Sequence, residues 1–69
     1  MKISARNVLQ GTVKTVKHGE VNSEVTVKLA GGAELVSMIT KASAKHLGIK
    51  KGKKVVAIIK ASNIILGTE

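Results

Sequence analysis

Three short segments of this 69-residue chain gather hydrogen-bond donors with no carboxylate beside them: Ser4-Ala5-Arg6-Asn7, Thr40-Lys41-Ala42-Ser43 and Lys60-Ala61-Ser62. Hydroxyl, guanidinium, ammonium and backbone N–H groups in that company suit a ligand that only accepts hydrogen bonds, which is to say an anion. Each segment also has an ordinary structural use, as a strand cap, a helix N-cap and a strand end respectively. Catalysis has no visible apparatus. Asp is absent, the four acids are dispersed, and His18 and His46 stand alone, so no general base, nucleophile or metal ligand set is in view and the chain reads as a non-enzyme. His46, in what should be the last turn of a helix, most simply meets the helix dipole, and His18 most simply occupies a solvated turn. Lysines 50, 51, 53 and 54 flank Gly52, where a solvated loop is the simpler reading and an anion-attracting patch the sharper one.

The elements that must carry these segments are legible in part. Val21 to Leu29 alternates, with Val21, Ser23, Val25, Val27 and Leu29 on one side, and so predicts a half-buried strand. Gly31-Gly32 supplies positive φ for a hairpin into a second apolar run, Leu35 to Ile39. Before them, Val8 to Lys17 is rich in β-branched residues and interrupted by Gly11, where a barrel strand should bend or bulge, and His18-Gly19-Glu20 reads as the turn. Thr40 as N-cap and Gly48 at C′ bracket a helix of about two turns. Strands over Lys54 to Ala61 and Asn63 to Leu66 complete the list. The expectation is a mostly β fold: a small five-stranded, OB-like β-barrel with one short helix between strands 3 and 4.

Length and composition bound what such a domain can be. With 43% hydrophobic residues in 69, one domain spanning 1–69 is expected, and it buries only about 60% of the surface its unfolded chain exposes. No cysteine is present, so oligomerisation is the remaining staple. Val55 to Ile59 and Ile64 to Leu66 are apolar on both pleat faces, and a subunit interface should cover the second face. Twelve Lys and Arg against four acids leave a net charge of +8, which again favours an anionic partner. The aromatic share is 0%, which counts against a basic OB-like nucleic-acid-binding module, the alternative that charge and fold class would otherwise support. A purely structural, partner-binding module would use the same apolar faces. Met1 to Asn7 has no apolar export core and no apolar run approaches a membrane span, so a soluble cytoplasmic protein with no membrane partner is expected.

Taken in order, Ser4-Ala5-Arg6-Asn7, Gly19-x-Val21-Asn22-Ser23-Glu24-Val25, Gly31-Gly32, Ile39-Thr40-x-x-Ser43, Leu47-Gly48-Ile49-x-x-Gly52 and Lys60-Ala61-Ser62 resemble the molbindins, or Mop proteins, over nearly the whole chain. The resemblance implies binding of molybdate or tungstate oxyanion by a hexamer, a trimer of dimers, in a single molbindin (TOBE/Mop-type) domain. With no DNA-binding or nucleotide-binding segment attached here, it further implies oxyanion storage or buffering. The family's main anion site lies between subunits, and its motif positions map onto Ser4, Ala5 and Arg6, onto Thr40, Lys41, Ala42 and Ser43, and onto Lys60 and Ala61. A second class of site on the three-fold axes is assigned, as a guess, to His18, Gly19, Glu20, Val21 and Asn22. Some relatives are described as molybdenum-pterin binders, but without an aromatic ring to stack on no organic cofactor is expected.

The physical logic agrees with that placement. Molybdate at neutral pH is a dianion with acceptor oxygens only, so a site made of donors suits it, whereas hydrogen phosphate carries a proton that would meet no acceptor. Backbone N–H groups of Lys41, Ala42 and Ser43 at the helix start, hydroxyls of Ser4 and Ser43, and the charge of Arg6 or Lys60 are the expected donors.

Overall fold

The computed structural model describes all 69 residues. Four strands, β1 (Asn7–His18), β2 (Asn22–Leu29), β3 (Glu34–Thr40) and β4 (Lys54–Ile59), form one antiparallel sheet in the order β3-β2-β1-β4. The helix α1 (Lys41–Leu47) joins β3 to β4, and a short 3-10 turn, Ala61–Asn63, follows β4. β1 is the spine: its first half, Asn7 to Thr12, pairs with β4, and Gly11 to His18 pairs with β2. Both edge strands, β3 and β4, line a single groove of about 700 Å3, so the sheet curls into a half-barrel.

The alternation in β2 translates directly into the core. Ser23, Val25 and Val27 are buried, and the two valines pack with Val13 while Val16, Leu29, Ile39, Ile49 and Val55 close around them. At the hairpin, Gly31 and Gly32 both take positive φ, +87° and +94°, as a tight turn between twisted strands requires. Thr40 caps α1 by accepting the Ser43 N–H at 3.0 Å, and Gly48, left-handed at φ +67°, closes it by donating to the carbonyls of Ala44 and Lys45. His46 lies in the last turn beside Lys45, where a cation complements the exposed carbonyls. Beyond the helix the loop returns onto β1: Gly52 N–H donates to the Val13 carbonyl and Val13 N–H to that of Lys53, both at 2.9 Å.

Three expectations need correction. Asn63 to Leu66 does not form a fifth strand. Asn63 closes the 3-10 turn, and Ile64, Ile65 and Leu66 run clear of the sheet, Ile65 at 94% exposure, pairing with neither of its open edges. The half-barrel therefore has four strands and an open mouth. Second, His18 ends β1 instead of standing in the turn, which runs over residues 19–21.

Gly11 is not the site of the irregularity in β1; the register shift lies between Val13 and Thr15. What Gly11 permits is close approach where β1 is shared by β2 and β4. A Cβ there would lie 2.5 Å from Val27 Cγ1 and 2.9 Å from the Lys28 carbonyl oxygen. Val27 belongs to the core and backbone cannot yield cheaply, so Gly11→Ala should destabilise the chain by roughly 1–3 kcal/mol in a urea unfolding titration. An unchanged midpoint would mean that the two strands can separate at no cost.

Candidate functional site

The donor-rich segments fall into two neighbourhoods. At one end of β1, Asn7 is in register with Ile59, and its Nδ2 donates to the Ile59 carbonyl at 3.3 Å. That pairing brings Arg6 and Lys60 to adjacent chain positions just beyond the β1–β4 ladder, with Ser4 and Ala5 on one side and the Ala61–Asn63 turn on the other. Arg6 and Lys60 are exposed, and neither takes part in an ion pair; the single salt bridge of the chain, Lys14 to Glu34, lies elsewhere. The result is an acid-free cationic corner.

At the opposite end, Thr40 is in register with Asn22, and the Lys41 N–H donates to the Val21 carbonyl at 2.7 Å. The helix start, Thr40 to Ser43, and the loop His18 to Asn22 thus share one neighbourhood, although the sequence reading assigned them to different sites. Not all the expected donors are free. Lys41 N–H is spent on Val21, and Ser43 N–H on Thr40 Oγ1, because local partners capture the first-turn amides. Thr40 Oγ1 donates in turn to Ser43 Oγ at 2.8 Å, which leaves the Ser43 hydroxyl proton directed elsewhere. Ala42 N–H, the Ser43 hydroxyl and the Lys41 ammonium are the donors that remain for a ligand.

The two neighbourhoods lie at opposite ends of β1, which runs eleven residue steps between them in a molecule measuring 34 × 31 × 22 Å. No group of three or more His, Cys, Asp or Glu side chains is arranged to hold a metal ion. No helix is long and apolar enough to cross a membrane.

Sequence reasoning missed the partner of His18. Its Nδ1 lies 2.7 Å from Ser23 Oγ, and Ser23 is fully buried. A usable signal was there: a serine on the apolar side of an alternating strand must find a partner. Asn7 reads in the sequence only as part of a donor run, yet its side chain adds a hydrogen bond to Ile59 at the end of the β1–β4 ladder.

Comparison with known proteins adds four findings. The family model described as TOBE domain matches residues 3–66. A "Probable molybdenum-pterin-binding protein" of Haemophilus influenzae is 44% identical over 69 residues, which is 100% of this chain and 100% of the relative. Among solved structures, MopII from Clostridium pasteurianum in an apo form superposes with a TM-score of 0.92 at 37% identity, covering 97% of this chain and 100% of that one. The cytoplasmic molybdate-binding protein ModG, with molybdate bound, superposes with a TM-score of 0.96 at 54% identity; this chain is covered completely and spans 49% of that one.

Proposed function

This chain belongs to the TOBE domain family, and from that membership we propose that it is a single-module, Mop-type protein that binds molybdate or tungstate in the cytoplasm and stores or buffers it without transforming it. The observation that carries the reading is the sorting of charge and donors. Each end of β1 presents hydroxyl, amide and cationic groups; the Arg6–Lys60 segments contain no carboxylate, and at the other end Glu20 in the loop and Glu24, paired with Lys17, are the acids nearby. A dianion without protons satisfies such donors fully. The site we assign combines Ser4, Ala5, Arg6, Lys60 and Ala61 of one copy with Thr40, Lys41, Ala42 and Ser43 of another, and the separation of the two ends along β1 supports that division.

We also propose a homo-oligomer, a hexamer, which open edges and exposed apolar residues support. β3 and β4 each keep one unpaired edge, and the groove between them is lined mainly by apolar side chains, among them Val25, Leu35, Ile39 and Val55. Ile64, Ile65 and Leu66 are exposed in a chain that has just such a groove to fill. We assign them as the fifth strand of a neighbouring copy, which would close the barrel and remove an open edge. On β4, Val55, Ala57 and Ile59 face the concave side, while Val56 and Ile58 are exposed at 44% and 47%. Ile58→Lys should therefore dissociate the assembly and leave a folded subunit by circular dichroism, whereas Ile59→Lys should unfold it. Light scattering reads the first effect, and a monodisperse monomer of the unsubstituted protein would defeat the assignment.

Titration calorimetry with molybdate, tungstate, sulfate, phosphate and a single-stranded oligonucleotide at two salt concentrations tests the function itself. Tight, saturable binding of the first two is expected. Binding of the oligonucleotide alone, with a steep salt dependence, would transfer the assignment to nucleic acid.

A further inference from the structure

The β-bulge in β1 has an effect that reaches beyond the strand. Val13 pairs with Val27 on the inner face; past the register shift, Val16 pairs with Val25 and His18 with Ser23 on that same face. Simple alternation from Val13 would have turned Thr15 and Lys17 inward and His18 outward. The extra residue at Lys14 instead aims His18 at the buried Ser23 hydroxyl, 2.7 Å from Nδ1. With Nδ1 engaged, the ring is oriented and Nε2 is the nitrogen left to meet anything else.

His18 also lines a groove of about 420 Å3 between the bulged half of β1 and the loop after α1, together with Lys14, Lys50, Lys51, Thr15, Val16 and Ile49. The loop wall is held by backbone bonds: Lys53 N–H to the Lys50 carbonyl at 3.0 Å, and the two bonds between Val13 and Gly52-Lys53. Gly52, at φ +89°, makes that turn. No acid lines the groove, and the one carboxylate that reaches a lining side chain is Glu34, whose Oε2 lies 2.6 Å from Lys14 Nζ. The Lys50 and Lys51 ammonium groups take part in no hydrogen bond or ion pair, and Nε2 of His18 is its unengaged nitrogen. Val16 and Ile49 give the same groove an apolar wall, and its volume lies in the range of small organic ligands.

We propose that this groove is a second ligand site, for the phosphate group of a small organic phosphate ester, with Lys50, Lys51 and His18 on the phosphate and Val16 and Ile49 against the organic part. It takes only His18 from the loop the sequence reading had set aside for a second oxyanion, and it does not depend on the site shared between copies. Ser23 acts through His18 as a positioning residue.

The test is a titration of the full, molybdate-saturated protein with glycerol 3-phosphate and, separately, with inorganic phosphate, followed by amide chemical shifts. Saturable shifts confined to residues 14–18, 23 and 49–51 are expected with the ester at low salt, weakening as salt rises. Lys50→Ala combined with Lys51→Ala should lower the ester's affinity on the order of tenfold, with the rest of the spectrum unchanged because both side chains are exposed. Ser23→Ala should lower it in the unsubstituted chain and add nothing in a His18→Ala background, whereas a merely structural serine would act in both. Equal affinity for inorganic phosphate, an adventitious ion only, would overturn the proposal, as would shifts indifferent to the lysine pair or no saturable shift at all. Molybdate binding, read at Arg6 and Ser43 in the same samples, reports on the other site separately.

Discussion

Assemblies built wholly of Arg6→Ala chains, or wholly of Ser43→Ala chains, should bind molybdate weakly, and assemblies that mix the two should recover tight sites. Ser43→Ala removes a hydroxyl donor whose oxygen already accepts from Thr40 Oγ1 and whose proton is therefore free for a ligand. Ser43 is exposed in the single chain; where the proposed site between copies buries that contact, losing it costs on the order of 1–3 kcal/mol, about tenfold to a hundredfold in affinity. Arg6→Ala should weaken binding through charge, by a comparable amount, since no carboxylate nearby loses its partner and complicates the comparison. The recovery is the informative part. Arg6 and Ser43 lie at opposite ends of β1, and where a site draws them from different chains, as proposed, a mixed assembly regenerates some sites with both segments intact. Calorimetry on assemblies verified as mixed reads this directly. Uniformly weak binding there would mean that each chain binds alone, with one end of β1 sufficient.

Molybdate should also raise the thermal midpoint steeply. A ligand that binds only the folded state stabilises it by about 2.7 kcal/mol at a hundred times its dissociation constant. For a domain of this size each kcal/mol moves the midpoint by roughly 4–8 °C, so a rise on the order of 10 °C or more is expected. Charge adds to the effect. Every chain contributes +8, assembly concentrates that charge, and bound dianions relieve the repulsion. Sulfate shares molybdate's protonation state but not its size, so a smaller shift with sulfate would show that the cavity, and not charge alone, selects. A midpoint insensitive to saturating molybdate but raised by an oligonucleotide would reverse the functional assignment.

Elements governed by local rules were legible in the sequence. The period-2 pattern expected from Val21 to Leu29 corresponds to a strand over Asn22–Leu29 whose Ser23, Val25 and Val27 are buried, while Val21, expected on that same side, stays outside the strand at 71% exposure. Gly31-Gly32 makes the hairpin, and Thr40 and Gly48 cap α1 over Lys41–Leu47. In each case the deciding interaction spans a few residues: a side-chain cap, a positive φ, an alternation of faces. The strand expected over Asn63 to Leu66 failed for the complementary reason. Its apolar residues are suited to a sheet, but a strand exists only where another edge receives it, and within this chain none does.

The amino-acid sequence by itself determined the inventory: donors without acids, a surplus of positive charge, no aromatic platform, and apolar faces in excess of what 69 residues can bury. Those are properties of composition and spacing, and folding cannot change them. Tertiary structure decided how the inventory is divided. It put Arg6 beside Lys60 through the Asn7–Ile59 register, and placed the helix start beside the His18–Asn22 loop through the Lys41–Val21 bond. It also turned His18 inward through one extra residue in β1. None of these follows from spacing, because strand register is set by which side chains pack against one another across the sheet, and a one-residue shift exchanges every face beyond it.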